Sequence, residues 1–549
     1  MRSKIGMVVL VVWILVLSSE ISAQERWVYN YRGPGIWSNG AYSVVMGADG
    51  NVYAAGFSFG TGLDDDFTVV SLTSWGGERW VYRHNGPGNG DDGARSVVMG
   101  ADSNLYAAGY SRGIGTYSDF TVVSITSWGG ERWVYRYNGP ANASDMAYSI
   151  LMGTDGNLYA AGTSDGSGTD KDFTLVSLDT GGVERWVYRY DGPDGDYDVA
   201  YSIVMGTDGN LYAAGLSSGS GTSWDFTVVS VTPSGGERWV YRNSGPGGNQ
   251  DRAYSIVAGA NGDLYAAGHI QTNGTFWDLS VISLDSLGTE RWVYQYDGPG
   301  NGSDVAYSIV VGTDGNLYAA GGSAGSGTNA DFIVASLDSS GTGRWVYRYN
   351  GPGNRDDEAK SIALGSDGNL YAAGYSYGSG TVRDFTVVSL TPSGDERWVH
   401  NYDGTASEND EANSVVMGTD GNIYAAGKTD GIIGNWGFTV ISLNPDVGVV
   451  EAELRPSQSP KLKLSVSPVP AMSGMKIYYS LPKPYEVRLS VYDVSGKLVK
   501  ELANAKEESG SKVLFWEGKN DTGERVASGT YFIQLKAGNS YASAKIIVL

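Results

Sequence analysis

The chain contains no cysteine and only three histidines, His84, His269 and His400, among 549 residues. The first absence excludes disulfides, thiolate zinc sites, a cysteine nucleophile and a lipoprotein cysteine. The second leaves too few imidazoles for a histidine-built metal centre or a Ser-His-Asp triad. After the N-terminus there is no apolar run of 18 residues, so no transmembrane helix is expected in the mature chain. An amphipathic period of 3.6 residues is missing throughout residues 24–448. Glycine is plentiful instead, at 80 residues, about twice the usual ~7%, but without the every-third spacing of collagen.

Arg2 and Lys4 precede an apolar run, Met7 to Leu17, and a polar stretch then ends in Ile21-Ser22-Ala23. A charged start, a short apolar centre and a small residue at the cut describe a secretory signal peptide over residues 1–23. The apolar centre is too short to cross a hydrocarbon core of ~30 Å. The mature protein is thus expected outside the cell with no disulfide to hold it.

The string RWVY begins at Arg26, Arg79, Arg132, Arg185, Arg238, Arg291 and Arg344, and reads RWVH at Arg397. Every spacing is 53 residues, which makes eight copies without insertion or deletion over residues 24–448. In the third copy the apolar pattern predicts strands over Arg132–Tyr137, Ala147–Gly153, Asn157–Ser164 and Asp172–Leu178. Tight turns are expected at Thr154 to Gly156 and Asp179 to Gly182, where Asp and Gly tolerate positive φ. The other two connections are longer. Four short antiparallel strands per unit of this length indicate a β-propeller, here of eight blades. A parallel β-helix has shorter coils and no use for a hairpin in every unit. With the AYS strand innermost, the eighth copy lacks an outer strand and the N-terminus has one spare, so Arg26–Tyr31 is expected to close the ring and cover the exposed edges.

Composition changes after the array. Residues 24–460 carry 23 cationic and 51 anionic side chains, a net of −28, whereas residues 461–549 carry 13 and 8, a net of +5. A linker is expected over 449–460. Beyond it, KLKLSVSP, MKIYYSL, EVRLSVYDVSG, KVLFWEG, GTYFIQLKAG and SAKIIVL alternate as strands of a small Ig-like β-sandwich over 461–549. The fold class expected is therefore all-β.

Two resemblances follow from these residues. GNLYAAGYSYGSGTVRDFTVVSL (Gly368–Leu390) and DVAYSIVVGTDGN (Asp304–Asn316) resemble the SBBP-type bacterial β-propeller repeat. That likeness implies a secreted or surface protein and no particular ligand. VYDVSGKLVKEL (Val491–Leu502) and WEGKNDTGERVASGTYFIQLKAG (Trp516–Gly538) resemble the FlgD-type Ig-like domain, and residues 465–549 resemble a type A sorting domain of type IX secretion. The opening has Ser467-Pro468 where that sorting domain usually has Asn-Pro. The resemblance implies an outer-membrane secretion machinery as partner and the cell surface of a Gram-negative-type bacterium as destination. VSLDTGGVERWVY and VSLTSWGGERWVY are also similar to the repeat of eight-bladed quinoprotein dehydrogenases, whose adjacent cysteine pair has no counterpart here.

Candidate functional residues come from recurrence and from exception. Two residues before each inner-strand Ala stands Asp92, Asp145, Asp198, Asp251, Asp304, Asp357 or Asp410, with Asn39 in the first copy. Ringed at a channel mouth, these hard oxygens would suit calcium or hydroxyl-rich glycans; at a loop-to-strand junction, an Asp equally bonds backbone N–H groups and shapes the turn. A second series, Asp66, Asp119, Asp172, Asp225, Asp278, Asp331 and Asp384, opens the third strand, with Gly437 in the eighth copy. The recurrent Trp27, Trp80, Trp133, Trp186, Trp239, Trp292, Trp345 and Trp398 read as packing between blades. Trp37, Trp224, Trp277 and Trp436 fall irregularly in the long loops and suit a sugar ring or a protein partner. No carboxylate pair stands out as glycosidase machinery, and the acidic array disfavours nucleic acid. The expectation is a non-enzymatic binding or scaffold protein that recognises glycan or protein and requires no cofactor. The alternative is an extracellular polysaccharide-active hydrolase or lyase.

Overall fold

The computed structural model describes residues 24–445 and 463–548, except 36, 63, 169, 249, 273–275, 406–407, 431–434, 468–474, 482–483, 495, 508–509 and 539. The expected signal segment 1–23 and linker 449–460 lie outside the described residues. Two compact units divide the chain at Val449/Val450. All regular elements among the described residues are strands, and no helix there is long and apolar enough to cross a membrane.

The first unit holds eight four-stranded antiparallel sheets. One of them runs through Met146–Met152, Leu158–Asp165, Lys171–Leu178 and Glu184–Tyr190 in sequence order. The strands of the third copy agree to within one residue at either end with the spans the apolar pattern predicts. The preceding RWVY strand, Glu131–Tyr137, is the fourth strand of the sheet before. The two expected tight turns close with Gly156 at φ 80° and Gly182 at φ 85°.

The first strand of every sheet carries a β-bulge. In this sheet Ala147 pairs with Gly162 and Ser149 with Ala161, which leaves Tyr148 without a partner. The bulge pushes the Met146 carbonyl to within 1.9 Å of where a Cβ on residue 162 would lie. Only glycine fits there, which accounts for the Gly of YAAG in all eight copies.

Single sheets of this kind leave both apolar faces open, and neighbours cover them. One core cluster joins Tyr106, Phe120 and Val122 of one sheet to Ala147, Ile150, Leu158 and Val176 of the next. At the outer end the Trp133 indole lies on Gly182, so close that a Cβ there would sit 2.6 Å from its Cδ2, and its Nε1 donates to the Thr180 carbonyl at 3.1 Å. The Tyr135 hydroxyl donates to Glu184 at 2.6 Å. At the inner end the Ile150 N–H donates to Ser96 Oγ at 3.4 Å. The recurrent tryptophans therefore pack between sheets.

The sheets succeed one another in a cycle, the first strand of each lying against that of the next, and Glu411–Met417 of the eighth lying against Gly40–Met46 of the first. The eighth sheet takes its fourth strand from the N-terminus: Gln24–Tyr31 pairs antiparallel with Trp436–Asn444. The Val44 N–H donates to Ser414 Oγ at 3.3 Å and Trp27 stacks on Gly76, repeating at the closure the contacts of most other junctions.

The second unit has seven strands in two sheets, Lys463–Ser467, Met475–Leu481 and Gly510–Trp516 in one, and Leu498–Glu507, Tyr485–Asp493, Gly529–Ala537 and Ser540–Val548 in the other. Alternate residues from both sheets, among them Ile477, Trp516, Leu489, Ile533 and Ile546, meet in one core. This is the sandwich arrangement expected from the alternation.

Removing residues 24–31 should leave Trp436–Asn444 as an open edge. The expected result is a fall in Tm of about 10 °C or more, since a large domain moves a few degrees per kcal/mol, with concentration-dependent association on gel filtration. An unchanged melt and a monomeric profile would show that closure contributes little.

Candidate binding surface at the loop end of the array

The two long connections of each repeat come together at one end. The link is made by the recurrent aspartates. Asp92 is 0% exposed; its Oδ2 accepts the Gly86 N–H at 2.6 Å and its Oδ1 the Arg112 N–H at 2.6 Å. One carboxylate thus ties the loop before the first strand to the end of the second, while the Asp92 N–H donates to the Asp65 carbonyl of the preceding sheet. Asp145, Asp198, Asp304, Asp357 and Asp410 repeat the pattern. Asp251 keeps the bond from Gln271 N–H, but its loop takes another path, with Gly245 at φ 54°, and its Oδ2 has no partner. In the first repeat Asn39 does the same work without charge, its Oδ1 accepting from Gly33 and Phe59 at 3.0 Å. These are the bonds of a turn-shaping residue.

Burial pushes the carboxyls of Asp92, Asp251 and Asp410 up to about 7 and those of Asp145, Asp198 and Asp357 up to about 6, against the partial compensation of the amide bonds. Asp304 is raised for the same reason.

The second aspartate series is also buried, and in four sheets it pairs with an arginine seventeen residues on: Arg83 with Asp66, Arg189 with Asp172, Arg242 with Asp225 at 2.5 Å and Arg348 with Asp331 at 2.7 Å. Asp278 has Gln295 at that position and takes the Thr272 hydroxyl at 2.6 Å instead. In the eighth sheet Gly437 leaves room that Asn30 fills through Thr429 and Thr439. Two trios, Asp172, Asp191, Asp198 and Asp278, Asp297, Asp304, bring one oxygen each within 4.8 Å of the others.

The irregular tryptophans divide. Trp224, Trp277 and Trp436 occupy one register position, at or just before the third strand of three different sheets. Each already has a partner in the protein: the Arg252 guanidinium 4.3 Å from the Trp224 ring, the His269 ring stacked at 4.8 Å on Trp277, and the Lys428 ammonium 3.7 Å from Trp436. Trp37, 57% exposed, meets Phe59 edge-on at 6.3 Å.

The residues that recurrence overlooked are the ones that vary. The bulged position of the first strand reads Tyr42, Arg95, Tyr148, Tyr201, Tyr254, Tyr307, Lys360 and Asn413. Because the first strands form the inner cycle, these side chains meet across sheets: Tyr148 and Tyr201 at 5.3 Å, Tyr201 and Tyr254 at 5.5 Å, Tyr254 and Tyr307 at 5.2 Å. Beside them vary the position before the conserved Ala, which includes Arg252, Glu358 and Glu411, and the position after the conserved Gly of the second strand, which includes His269, Tyr375 and Lys428. One side of this lining is charge-matched, with Lys360 on Glu358 at 2.5 Å and Lys428 on Glu411 at 3.0 Å. The signal was present in the sequence as columns that change inside strands whose other positions repeat.

Comparison with known proteins identifies the C-terminal unit by family: residues 471–540 match the FlgD Ig-like domain. The chain is thus an all-β protein that joins an array of four-stranded antiparallel sheets to a second unit matching the FlgD Ig-like domain. No curated protein matches the sequence. Among solved structures, the chain is similar to PorZ, described as an essential surface component of the type-IX secretion system of Porphyromonas gingivalis, at 12% identity over 91% of this chain and 73% of that one, with a TM-score of 0.33. A protein of unknown function from Dyadobacter fermentans is similar at 9% identity over 77% of this chain and 99% of the other, with a TM-score of 0.36.

The buried aspartates set a pH dependence. With folded carboxyls near 6 to 7 and ordinary ones near 3.8, the native state holds protons the unfolded chain has lost, so stability falls as pH rises through that window. Tm should be higher at pH 5 than at pH 8, and replacing Asp92, Asp251 and Asp410 together by Asn should narrow the difference. Asp92→Ala strands two amide donors and should cost about 2–4 kcal/mol in urea unfolding at pH 5, against roughly 1 kcal/mol or less for Asp92→Asn, the residue the first repeat already uses.

Proposed function

We propose that the first unit is an eight-bladed β-propeller of SBBP-like repeats that acts as a secreted or cell-surface binding protein without catalytic activity. Its ligand is a glycan, held at the loop end, and the Ig-like unit serves as a type IX sorting domain that directs export. One observation carries the binding reading. Repeats of invariant length share nearly identical strand cores, whereas the two long connections and the strand-end residues beside them, at one end of the inner cycle, change from copy to copy. Selection for stability alone gives no reason to vary those positions and hold the others. The lining is rich in tyrosine, with arginine, lysine and glutamate set among the rings, a composition suited to sugar faces and hydroxyls. An acidic array repels nucleic acid. No cofactor is needed for this reading, and the two aspartate trios are where calcium would be sought.

A glycan array probed with the chain from Gln24 onward, in calcium and in EDTA, tests the reading. The expected outcome is selective binding that substitutions at the bulged positions weaken. Loss in EDTA would add calcium to the site. A blank array would turn the reading to a protein ligand, and turnover of a bound polysaccharide would make the protein a hydrolase or lyase.

Deleting residues 461–549 should hold the protein in the periplasm. Normal surface display of that truncation, measured by protease accessibility on intact cells, would overturn the sorting role.

A further inference from the structure

The lining of the inner cycle is not uniform in charge. Three of its eight first strands carry cations on the variable positions: Arg95, Arg252 and Lys360. Lys360 is matched by Glu358 at 2.5 Å. Among the described residues neither Arg95 nor Arg252 forms an ion pair with any carboxylate, although the array carries a net of −28. Both guanidiniums are half-buried and lie over aromatic rings instead: Arg95 is 4.2 Å from the centroid of Tyr42 and 5.6 Å from that of Tyr110, and Arg252 is 4.3 Å from that of Trp224. The Nε of each is enclosed and without a hydrogen-bond partner.

Between and beside these two arginines runs the tyrosine series. Tyr148 and Tyr201 are the bulged residues of the two sheets that follow Arg95, and Tyr254 and Tyr307 those of the next two. Arg95 acts electrostatically on Tyr148, and Arg252 on Tyr201 and Tyr254. Burial pushes the Tyr148 phenol up to about 12 and raises Tyr201, Tyr254 and Tyr307 as well. All four therefore keep their hydroxyl hydrogens at neutral pH and can donate them to a ligand. His269, beside Arg252, is held neutral by burial, its value lowered to about 3, so it adds no charge of its own.

We propose that Arg95 and Arg252, with the tyrosines between them, form a subsite for the carboxylate groups of an acidic saccharide, a hexuronate-containing oligosaccharide. The proposal rests on the glycan reading above and narrows it. Two half-buried guanidiniums without carboxylate ion pairs among the described residues offer the planar fork that a carboxylate fills with paired hydrogen bonds. Tyrosine rings and hydroxyls supply the apolar and polar contacts of sugar rings. The surrounding acids select against densely charged polymers: nucleic acid carries a charge every ~1.7 Å of duplex, whereas a uronate chain carries one per acidic sugar, set among neutral hydroxyls. A ligand that meets two arginines several sheets apart gains from both at once.

The test uses calorimetric titration of the chain from Gln24 to Leu549 with oligosaccharides of galacturonate, mannuronate and glucuronate, and with their methyl esters. At least one acid should bind about tenfold or more tighter than its ester, more weakly as salt is raised. Arg95→Gln and Arg252→Gln should each weaken the acid severalfold and leave the ester unchanged, with Arg252→Lys intermediate because ammonium cannot make the paired contact. A melting curve on each variant checks folding. Equal binding of acid and ester, or acid binding indifferent to both arginines, would overturn the subsite while leaving the glycan reading in place. Failure of every uronate would also overturn it, and if neutral glycans fail as well the glycan reading falls with it.

Discussion

Everything in the array depends on the contact between one sheet and the next. A four-stranded sheet with apolar residues on both faces cannot stand in water, and a core cluster here is never the property of one sheet: Tyr106 and Phe120 are covered by Ile150 and Leu158 of the neighbour. Seven of the eight junctions show an indole pressed on a glycine at the outer end, and seven show a serine hydroxyl accepting a strand amide at the inner end. The stability of such an array is a sum of neighbour terms, as in other repeat proteins. That is why the residues making the junction scarcely change from copy to copy.

The same logic explains where much of the acid is spent. Asp92 and its counterparts are anchors for backbone N–H groups that the long connections would otherwise leave unsatisfied. Four of the aspartates that open the third strand are met by arginines of the fourth. Asn39 and Asn30 show both tasks done with neutral side chains in the first repeat. Charge is incidental to the first task and, in four sheets, balanced in the second.

The sequence was most legible where a local rule decides the outcome. The 53-residue period, the strands to within a residue at their ends and the hairpin turns all follow from alternation and from Asp-Gly chemistry. The spare N-terminal strand followed from counting. The site was harder to read, because recurrence drew the eye to Asp92 and its kin, whose oxygens are spent on amides. The bulge at Tyr148 leaves no trace in composition, since it arises from a register shift that only the facing Gly162 betrays. Nor does spacing reveal that Trp224, Trp277 and Trp436 lie beside Arg252, His269 and Lys428, because those partners come from other strands.

The closing strand imposes an order in time. Tyr31 pairs with Phe438, so the first strand of the array to leave the ribosome is among the last to find its partner. Intermediate sheets can stack as they emerge, each on the one before. The two ends stay unpaired until the eighth repeat is complete. Entropy is a minor obstacle, since the cost of closing a loop grows only with the logarithm of its length. Until that pairing forms the chain is a stack with two raw edges, which must be kept apart from other copies. An array of identical junctions is open to one characteristic error, the pairing of its free strand with the last sheet of a neighbouring molecule.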